Sequence, residues 1–560
     1  MPAIHDTQIF RRWTWQDFER NLARLLMFAG WKGVRLVGGS GDHGADVLAV
    51  DGHDHRWIFQ CKHTQAGVGR EAIDEVREAG RIYGAHTLCV VTSQMPTRGF
   101  IEELDRLQRG GLAIHHIGPG DLVALYQQAP EYMPSRPQMR PYQQQAVENG
   151  RNALLERGRA QIVLATGLGK TVVMSEIVAD LLRDGLLEEG RVLVLAHTIP
   201  LVMQLLTSFW RVLPKDVATH RLSEGEVPLD FTGITFATVQ TLQTMTPRAL
   251  EALPSFDLVI VDEAHRVGAA GFSRIIEDLS ATRLMGVTAT PWRPDGGSID
   301  RWFGEPVFQM GIKEGLAQGY LSDVDYRIML DGIDWDLVRE ASVLGYSVQQ
   351  LNKRLLIPTR DQRAIEIIRD TWERESRRRG IVFSPSQTHA RHFAADLRAN
   401  EFRAEALVSE DSAVQRFVTL SRFAAGELDF VCVVDIFNEG LDVPDVDLLV
   451  FLRVTHSRRI FVQQLGRGLR IGEGKDKVVV LDFAADVRRI HAAMELDDSV
   501  GRGEVESLAI SRAAVNFSDR SLDSFFYEWI ADLGSIKNHD ADDVVKLPIF
   551  DPTQFNFPEE

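Results

Sequence analysis

The apolar and polar positions of this chain follow two periods in turn, and the switches between them mark its elements. In WQDFERNLARLLMFAGW, Phe18, Leu22, Leu25, Leu26 and Ala29 recur at the three-to-four-residue spacing of a helix with one apolar face. ADVLAV and RWIFQCK, on either side of the turn DGHDH, have the density of strands. GREAIDEVREAGRIYG returns to helical spacing, and TLCVVTS, from Thr87 to Ser93, reads as a buried strand. Pro-rich QQAPEYMPSRPQMRP then breaks the pattern, as an interdomain linker over 127–139 would. After it, QIVLA, RVLVLA, GITFAT, FDLVIVDEAH and RLMGVTAT are short apolar strands separated by helical stretches. That alternation predicts a parallel sheet with helices on both faces over 140–330. GIVFS, FVCVVD, VDLLVFLRV and KVVVLDF repeat it over 359–490, past a connection at 331–358. The expected architecture is α/β throughout: an N-terminal α/β domain (1–126), two tandem parallel-sheet lobes, and an acidic, aromatic tail at 491–560 that reads as a segment packing on the two lobes and then fraying.

Composition narrows the setting. A length of 560 residues fits roughly three or four domains of ordinary size, and 44% hydrophobic residues suffice for several cores. Cys61, Cys89 and Cys432 lie too far apart for a disulfide framework or a cysteine zinc motif, which fits a reducing, cytoplasmic setting. MPAIHDTQIFRRW carries no apolar signal core, and no apolar run approaches the ~20 residues that span a bilayer, so no membrane partner is expected. The net charge of −17 rules out nucleic-acid binding by bulk attraction; such binding would need local basic grooves.

The first chemistry lies in two motifs of the central region. IVLATGLGKT joins a strand to a helix through a glycine-rich loop containing Thr166. Gly167 and Gly169 let backbone N–H groups turn toward phosphates, Lys170 neutralises terminal phosphates, and Thr171 offers a hydroxyl to Mg2+. The helix N-terminus adds its dipole. Leu164 stands where the first glycine of such loops usually falls. FDLVIVDEAH is a buried strand that delivers Asp262 and Glu263 to its carboxyl end, where ligands bind in open α/β sheets. Asp262 would hold Mg2+ and Glu263 would polarise the attacking water.

Further segments follow in the order of a superfamily 2 helicase, and from about residue 138 to 485 the chain resembles that family. RPYQQQAV resembles its adenine-reading segment, which implies Gln143 as the adenine contact. VLAHTIPLVMQ and FATVQTL resemble the strand-gripping motifs of the first lobe, and GVTATPWR the link between ATP state and lobe movement. IVFSPSQTHA, DIFNEGLDVPDVD and QQLGRGLR resemble the motifs of the second lobe. The resemblance implies RecA-like lobes with ATP and Mg2+ as cofactors. In QQLGRGLR, Arg467 and Arg470 share one helix face; they would act as arginine fingers on the γ-phosphate, with Gln463 lining the same cleft. DEAH, RPYQ and EGLDVP look closest to helicases of restriction subunits and nucleotide-excision repair motors, many of which translocate on duplex.

The N-terminal strands carry a second constellation. Alternate residues of a strand share a face, so Gln60 and Lys62 point one way and Cys61 the other. If Val50 pairs with Arg56, the antiparallel register sets Asp46 opposite Gln60. A carboxylate, an amide carbonyl and a lysine then converge, with Asp46 and Gln60 as candidate Mg2+ ligands and Lys62 as a helper cation. A plain cross-strand ion pair between Asp46 and Lys62 is the alternative for such a hairpin. Over about residues 12–125 the pattern resembles the PD-(D/E)xK nucleases of the Mrr restriction-endonuclease type, through Glu19 in WQDFERNLARLL, SGDHGAD ending in Asp46, and QCK at 60–62. That resemblance implies Glu19 as a further acidic site residue. Gln60 stands where many relatives carry an acid, which lowers the negative charge offered to a metal. Trp13, Trp15, Trp31 and Trp57 are expected to pack rather than to stack on bases.

Together the resemblances imply an ATP-dependent DNA helicase or translocase coupled to an Mg2+-dependent endonuclease, in prokaryotic restriction or anti-phage defence. DNA would be the partner, duplex before single strand and with RNA still open, alongside possible partner subunits. Two other readings remain: a motor whose N-terminal domain binds DNA without cutting, and a DNA-gated ATPase switch acting on other proteins.

Overall fold

The first helix forms over Trp15–Phe28 in the computed structural model, which describes all residues except 2, 38–43, 65, 224, 269, 280, 290–297, 329–357, 435–445, 453–476, 484–515 and 518–560. Thr14 starts it: its hydroxyl accepts the Asp17 N–H, and the Asp17 carboxylate accepts the Thr14 N–H, both at 3.1 Å. Phe18, Leu22, Leu25 and Leu26 are buried as their spacing requires, whereas Ala29 is an exposed residue just past the helix end. Trp15, also expected to pack, is 53% exposed.

This helix lies on a five-stranded sheet of order β1-β2-β3-β4-β5. The strands are β1 (Lys32–Leu36), β2 (Val47–Val50), β3 (Arg56–Lys62), β4 (Thr87–Thr92) and β5 (Ile114–Ile117). β1, β2 and β3 run antiparallel, and β3, β4 and β5 parallel. The crossover from β3 to β4 is the helix Glu71–Tyr83, ended by Gly84 at φ +59°.

The first lobe holds a seven-stranded sheet, β12-β6-β11-β10-β7-β9-β8. Its members are β6 (Arg159–Leu164), β7 (Arg191–Ala196), β8 (Thr219–Leu222), β9 (Gly233–Thr238), β10 (Phe256–Asp262), β11 (Ala281–Thr288) and β12 (Pro306–Met310). From β6 through β8 the neighbours pair in parallel. β9 and β10 are buried at every position, as strands covered by helices on both faces must be.

The N-terminal domain and the first lobe fall in one compact unit, Met1–Leu164 with Gly169–Gln309. The helix Trp15–Phe28 turns its second side, Arg20 and Arg24, to the first-lobe segment 210–226. Arg24 is 0% exposed. Its guanidinium donates to the carbonyls of Val217 at 2.5 Å and Pro214 at 2.7 Å and lies over the rings of Phe28 and Trp210. Arg20 bridges Asp17 at 2.6 Å and Glu226 at 2.5 Å. The stretch 127–139 is pinned along the same lobe. Lys215 donates through its ammonium to the carbonyls of Tyr126 and Ala129 and through its backbone N–H to that of Glu131. Arg136 pairs with Glu176 at 2.7 Å.

Replacing Arg24 by alanine strips two half-buried carbonyls of their donor and opens a cavity beside Trp210, so a loss of about 3 kcal/mol is expected. Calorimetry of the full chain checks this. Arg24→Lys, which keeps the charge and one donor direction, should recover part of the loss.

The second unit comprises Ala165–Leu168 with Met310–Glu560. Its sheet has the order β15-β16-β14-β17-β18-β13-β19, and all of its strand pairs are parallel. The strands are β13 (Asp323–Ile328), β14 (Gly380–Phe383), β15 (Ala404–Leu407), β16 (Phe430–Val433), β17 (Leu448–Phe451), β18 (Lys477–Asp482) and β19 (Asn516–Phe517). β13 corrects the reading that carried the first lobe to residue 330: all of its paired residues meet β18 or β19. Periodicity reports that a strand exists, and only long-range pairing decides which sheet takes it. Among the described residues no helix is long and apolar enough to cross a membrane.

Candidate nucleotide and nuclease sites

β6 runs into the turn Ala165–Gly169, and the helix Lys170–Arg183 begins at once. Thr166 lies in that turn and Thr171 in the first helical turn, both half-buried. Gly167 and Gly169 have φ of +90° and +79°, a region that an L side chain rarely enters. A Cβ on Gly169 would also stand 2.4 Å from Gln143 Nε2. Gln143 is buried, its Oε1 accepts the Arg140 N–H at 2.9 Å, and its amide therefore lies beside the last glycine of the loop.

β10 brings the acids to the same helix start. The Lys170 ammonium donates to Glu263 Oε1 at 3.0 Å. Burial works against the Lys170 charge, but Glu263 and Asp262 outweigh it and hold the ammonium above its ordinary range. The Asp262 carboxyl is pushed up, first by burial and then by the Glu263 charge, with Lys170 pulling the other way. Glu263 has φ +51°, the left-handed region, held where β10 ends in a turn. Two residues on, the His265 ring meets the Thr288 hydroxyl at 2.9 Å, so the DEAH turn and the end of β11 are hydrogen-bonded deep in the core. The hydroxyl of Thr171 and the carboxylate of Asp262 are hard oxygen donors of the kind a divalent cation takes. Arg467, Arg470 and Gln463 lie outside the described residues.

In the N-terminal domain the register is the one read from the hairpin. Val50 pairs with Arg56 and Val47 with Phe59, and the Asp46 N–H donates to the Phe59 carbonyl at 3.1 Å. Asp46 therefore faces Gln60, both about 95% buried. Asp46 Oδ2 accepts from Gln60 Nε2 at 3.2 Å and from the Cys61 N–H at 2.5 Å. Gln60 Oε1 is buried and has no hydrogen-bond partner among the described residues. It borders Gly44, which has φ +82° and whose Cβ would stand 2.6 Å from that oxygen. Half-buried Glu19, on the first helix, is close enough to act on Cys61: burial above all, then Asp46, then Glu19 push that thiol well up. An orphaned amide oxygen beside a hydrogen-bonded carboxylate is a donor set that a divalent cation fits. Among the described residues no three His, Cys, Asp or Glu side chains stand close enough to hold an ion, so a metal here needs that amide oxygen.

Lys62 departs from the expectation. It makes no ion pair with Asp46; its ammonium bonds to Glu75 on the helix Glu71–Tyr83. Sequence reasoning passed over Glu75. The signal was there in part, because Glu75 flanks the buried stripe Ala72, Ile73, Val76 and Ala79 of a helix that must cover β3. Asp42 and His43 lie outside the described residues.

Comparison with known proteins follows the same division. The family "Restriction endonuclease", of Mrr type, matches residues 10–114; "Type III restriction enzyme, res subunit" matches 136–293; and "Helicase conserved C-terminal domain" matches 361–472. The helicase-class protein IRC3 of Saccharomyces cerevisiae is 25% identical over 369 residues, covering 62% of this chain and 52% of that one. The endonuclease subunit of the type I restriction enzyme EcoAI of Escherichia coli is 26% identical over 373 residues, covering 60% of this chain and 44% of its own. The chain thus spans about half the length of these curated relatives. The solved structure of the ATP-dependent type ISP restriction-modification enzyme LlaBIII bound to DNA shares the fold over 83% of this chain and 36% of that one, with a TM-score of 0.50 and 20% identity. By these matches the chain joins an N-terminal domain of the Mrr restriction-endonuclease type to two domains of the superfamily 2 helicase type.

Proposed function

We propose that this protein is an ATP-driven translocase on duplex DNA coupled to an Mg2+-dependent DNA endonuclease, working in the cytoplasm of a prokaryote within a restriction or anti-phage system and alongside partner subunits. The observation that carries this reading is the presence of two constellations in one chain: Lys170 hydrogen-bonded to Glu263, next to Asp262, and Asp46 hydrogen-bonded to Gln60 on the strand that also carries Lys62, itself paired with Glu75. The names of the relatives, a restriction endonuclease subunit and a DNA-bound restriction-modification enzyme, support the setting.

At the first site, backbone N–H groups of the 165–169 turn cradle phosphates, Lys170 leaves Glu263 for the terminal phosphates, and Thr171 and Asp262 hold Mg2+. Glu263, released by the lysine, orients the attacking water. Gln143 reads the adenine, and the helicase resemblance gives Arg467 and Arg470 the role of cations on the γ-phosphate, with Gln463 beside them. At the nuclease site, a divalent ion, when bound, would supply a water of lowered pKa and offset charge on the scissile phosphate. Asp46 and Gln60 hold that ion, Glu19 adds negative charge at the site, and Lys62 offsets charge on the phosphorane.

The test is the full chain with linear and circular duplex DNA, with and without ATP and Mg2+, followed by phosphate release, triplex displacement and strand cleavage. DNA-stimulated hydrolysis, displacement and Mg2+-dependent cutting together are the expected result. ATP hydrolysis indifferent to DNA would overturn the motor, and cutting absent under every condition would leave a DNA-binding N-terminal domain.

A further inference from the structure

The nuclease site as read so far is short of negative charge. Gln60 is neutral where an acid would serve a dication, and Asp46 already spends one oxygen on two N–H donors. Two features show where the missing charge comes from. The first is Gln60 Oε1. Its amide nitrogen is committed to Asp46, which fixes the orientation of the group and leaves Oε1 buried, without a partner among the described residues, on the side of Gly44. A buried acceptor in that state is unfavourable unless something fills it. The second is what lies across Gly44. The point where its Cβ would be is 2.6 Å from Gln60 Oε1 and 3.2 Å from Glu75 Cβ, so the glycine has no room for a side chain and lets the amide oxygen and the base of the Glu75 side chain close in on it from two sides.

We propose that Glu75 is an acidic ligand of the divalent-metal site that Asp46 and Gln60 Oε1 begin, supplied from the crossover helix in place of the acid missing at position 60. This rests on the nuclease reading above. Glu75 is held by Lys62, and that pair is loose: the two side chains are 23% and 45% exposed, where water screens an ion pair and little is lost when it parts. A dication between Asp46 and Glu75 sets two positive charges against Glu75 where the lysine sets one, brings positive charge to Asp46, and gives the orphaned oxygen its partner. The exchange also frees the Lys62 ammonium, on the same strand face as Gln60, for the phosphate. One acid thus restrains the lysine before the metal arrives and balances the metal afterwards.

The experiment counts Mn2+ bound to the nucleotide-free full chain by electron paramagnetic resonance. All measurements use an Asp262→Asn background, so that the nucleotide site contributes no ion. The chain with an otherwise natural N-terminal domain should bind one ion that Asp46→Asn removes. Glu75→Gln, isosteric and on a half-exposed position, should weaken that ion by at least the roughly 10–100-fold typical of losing even an outer partner of a metal. Lys62→Met should leave the affinity equal or tighter, since the competitor for Glu75 is gone. Unaltered melting of the Glu75→Gln chain separates ligand loss from unfolding. If Glu75→Gln binds as the unsubstituted domain does while Asp46→Asn does not bind, Glu75 is only the partner of Lys62 and the inference is overturned with the nuclease reading intact. If no ion depends on Asp46, the nuclease reading fails and this inference with it.

Discussion

Lys170→Ala is expected to lower DNA-stimulated ATP hydrolysis by roughly 10³-fold or more, the scale of a cation acting on a transferring phosphoryl group. The charge is buried, so little water replaces what is lost: its side chain is 14% exposed and lies against Glu263 at 3.0 Å. Two carboxylates would then face each other with no cation between them. Asp262, already pushed up by burial and by Glu263, would be driven further toward its protonated form and would hold Mg2+ less well. Both the phosphate contact and the metal ligand fail together. Glu263→Gln separates these effects. It keeps Lys170 and Asp262 in place, so nucleotide binding, followed with a fluorescent ATP analogue, should persist while hydrolysis falls. Cleavage in Mg2+ without ATP, where it occurs, should survive both substitutions, because the Asp46 hairpin stands on a different sheet.

The parts of this protein that could be read from sequence are those whose physics is local. The strands β6, β7, β9, β10 and β11 are continuous apolar runs because helices cover both faces, and their motifs sit at strand ends where the chain must turn. The Asp46–Gln60 pairing followed from a single hairpin register. What stayed hidden depends on distant residues. β1, β5, β8 and β15 are four- or five-residue strands of mixed polarity, such as IHHI and THRL, too short for either period to show. Arg20 and Arg24 lie outside the apolar stripe of the first helix, yet they are buried against the segment 210–226 of the first lobe. The stretch 127–139 has the composition of a linker, yet Lys215 and Glu176 hold it to that lobe. The Lys62–Glu75 pair joins a strand to the helix that crosses over it, a contact that no periodicity encodes.

That docking shapes what the nuclease can do. A domain on a free tether would sample DNA wherever its linker reached. Here it shares one unit with the first lobe, through buried guanidinium–carbonyl bonds that do not reorganise cheaply. The Asp46 site therefore keeps a fixed offset from the lobe that carries Lys170, and a cut would fall at a set place relative to the motor. A cleaving enzyme so arranged should lose its cutting to a single substitution in the hairpin and keep its motor.

Asp46→Asn is that substitution, and cleavage is expected to fall by roughly 10³-fold or more, the equivalent of several kcal/mol of charge stabilisation lost at the scissile phosphate. Asparagine keeps the volume of the site and can still accept the Cys61 N–H, so the hairpin should hold. What changes is charge: the carboxylate that Gln60 and Cys61 orient becomes neutral, and the orphaned Gln60 oxygen cannot hold a dication alone. Lys62→Ala should also reduce cutting, by a different route, because metal binding persists while the phosphorane loses its cation. Raising the Mn2+ concentration distinguishes the two: it should rescue part of the Asp46→Asn defect and none of the Lys62→Ala defect. DNA-stimulated ATP hydrolysis should remain at the unsubstituted level in both variants. Cutting that persists undiminished in both would assign the cleavage to other residues and leave the hairpin a structural element of a DNA-binding domain.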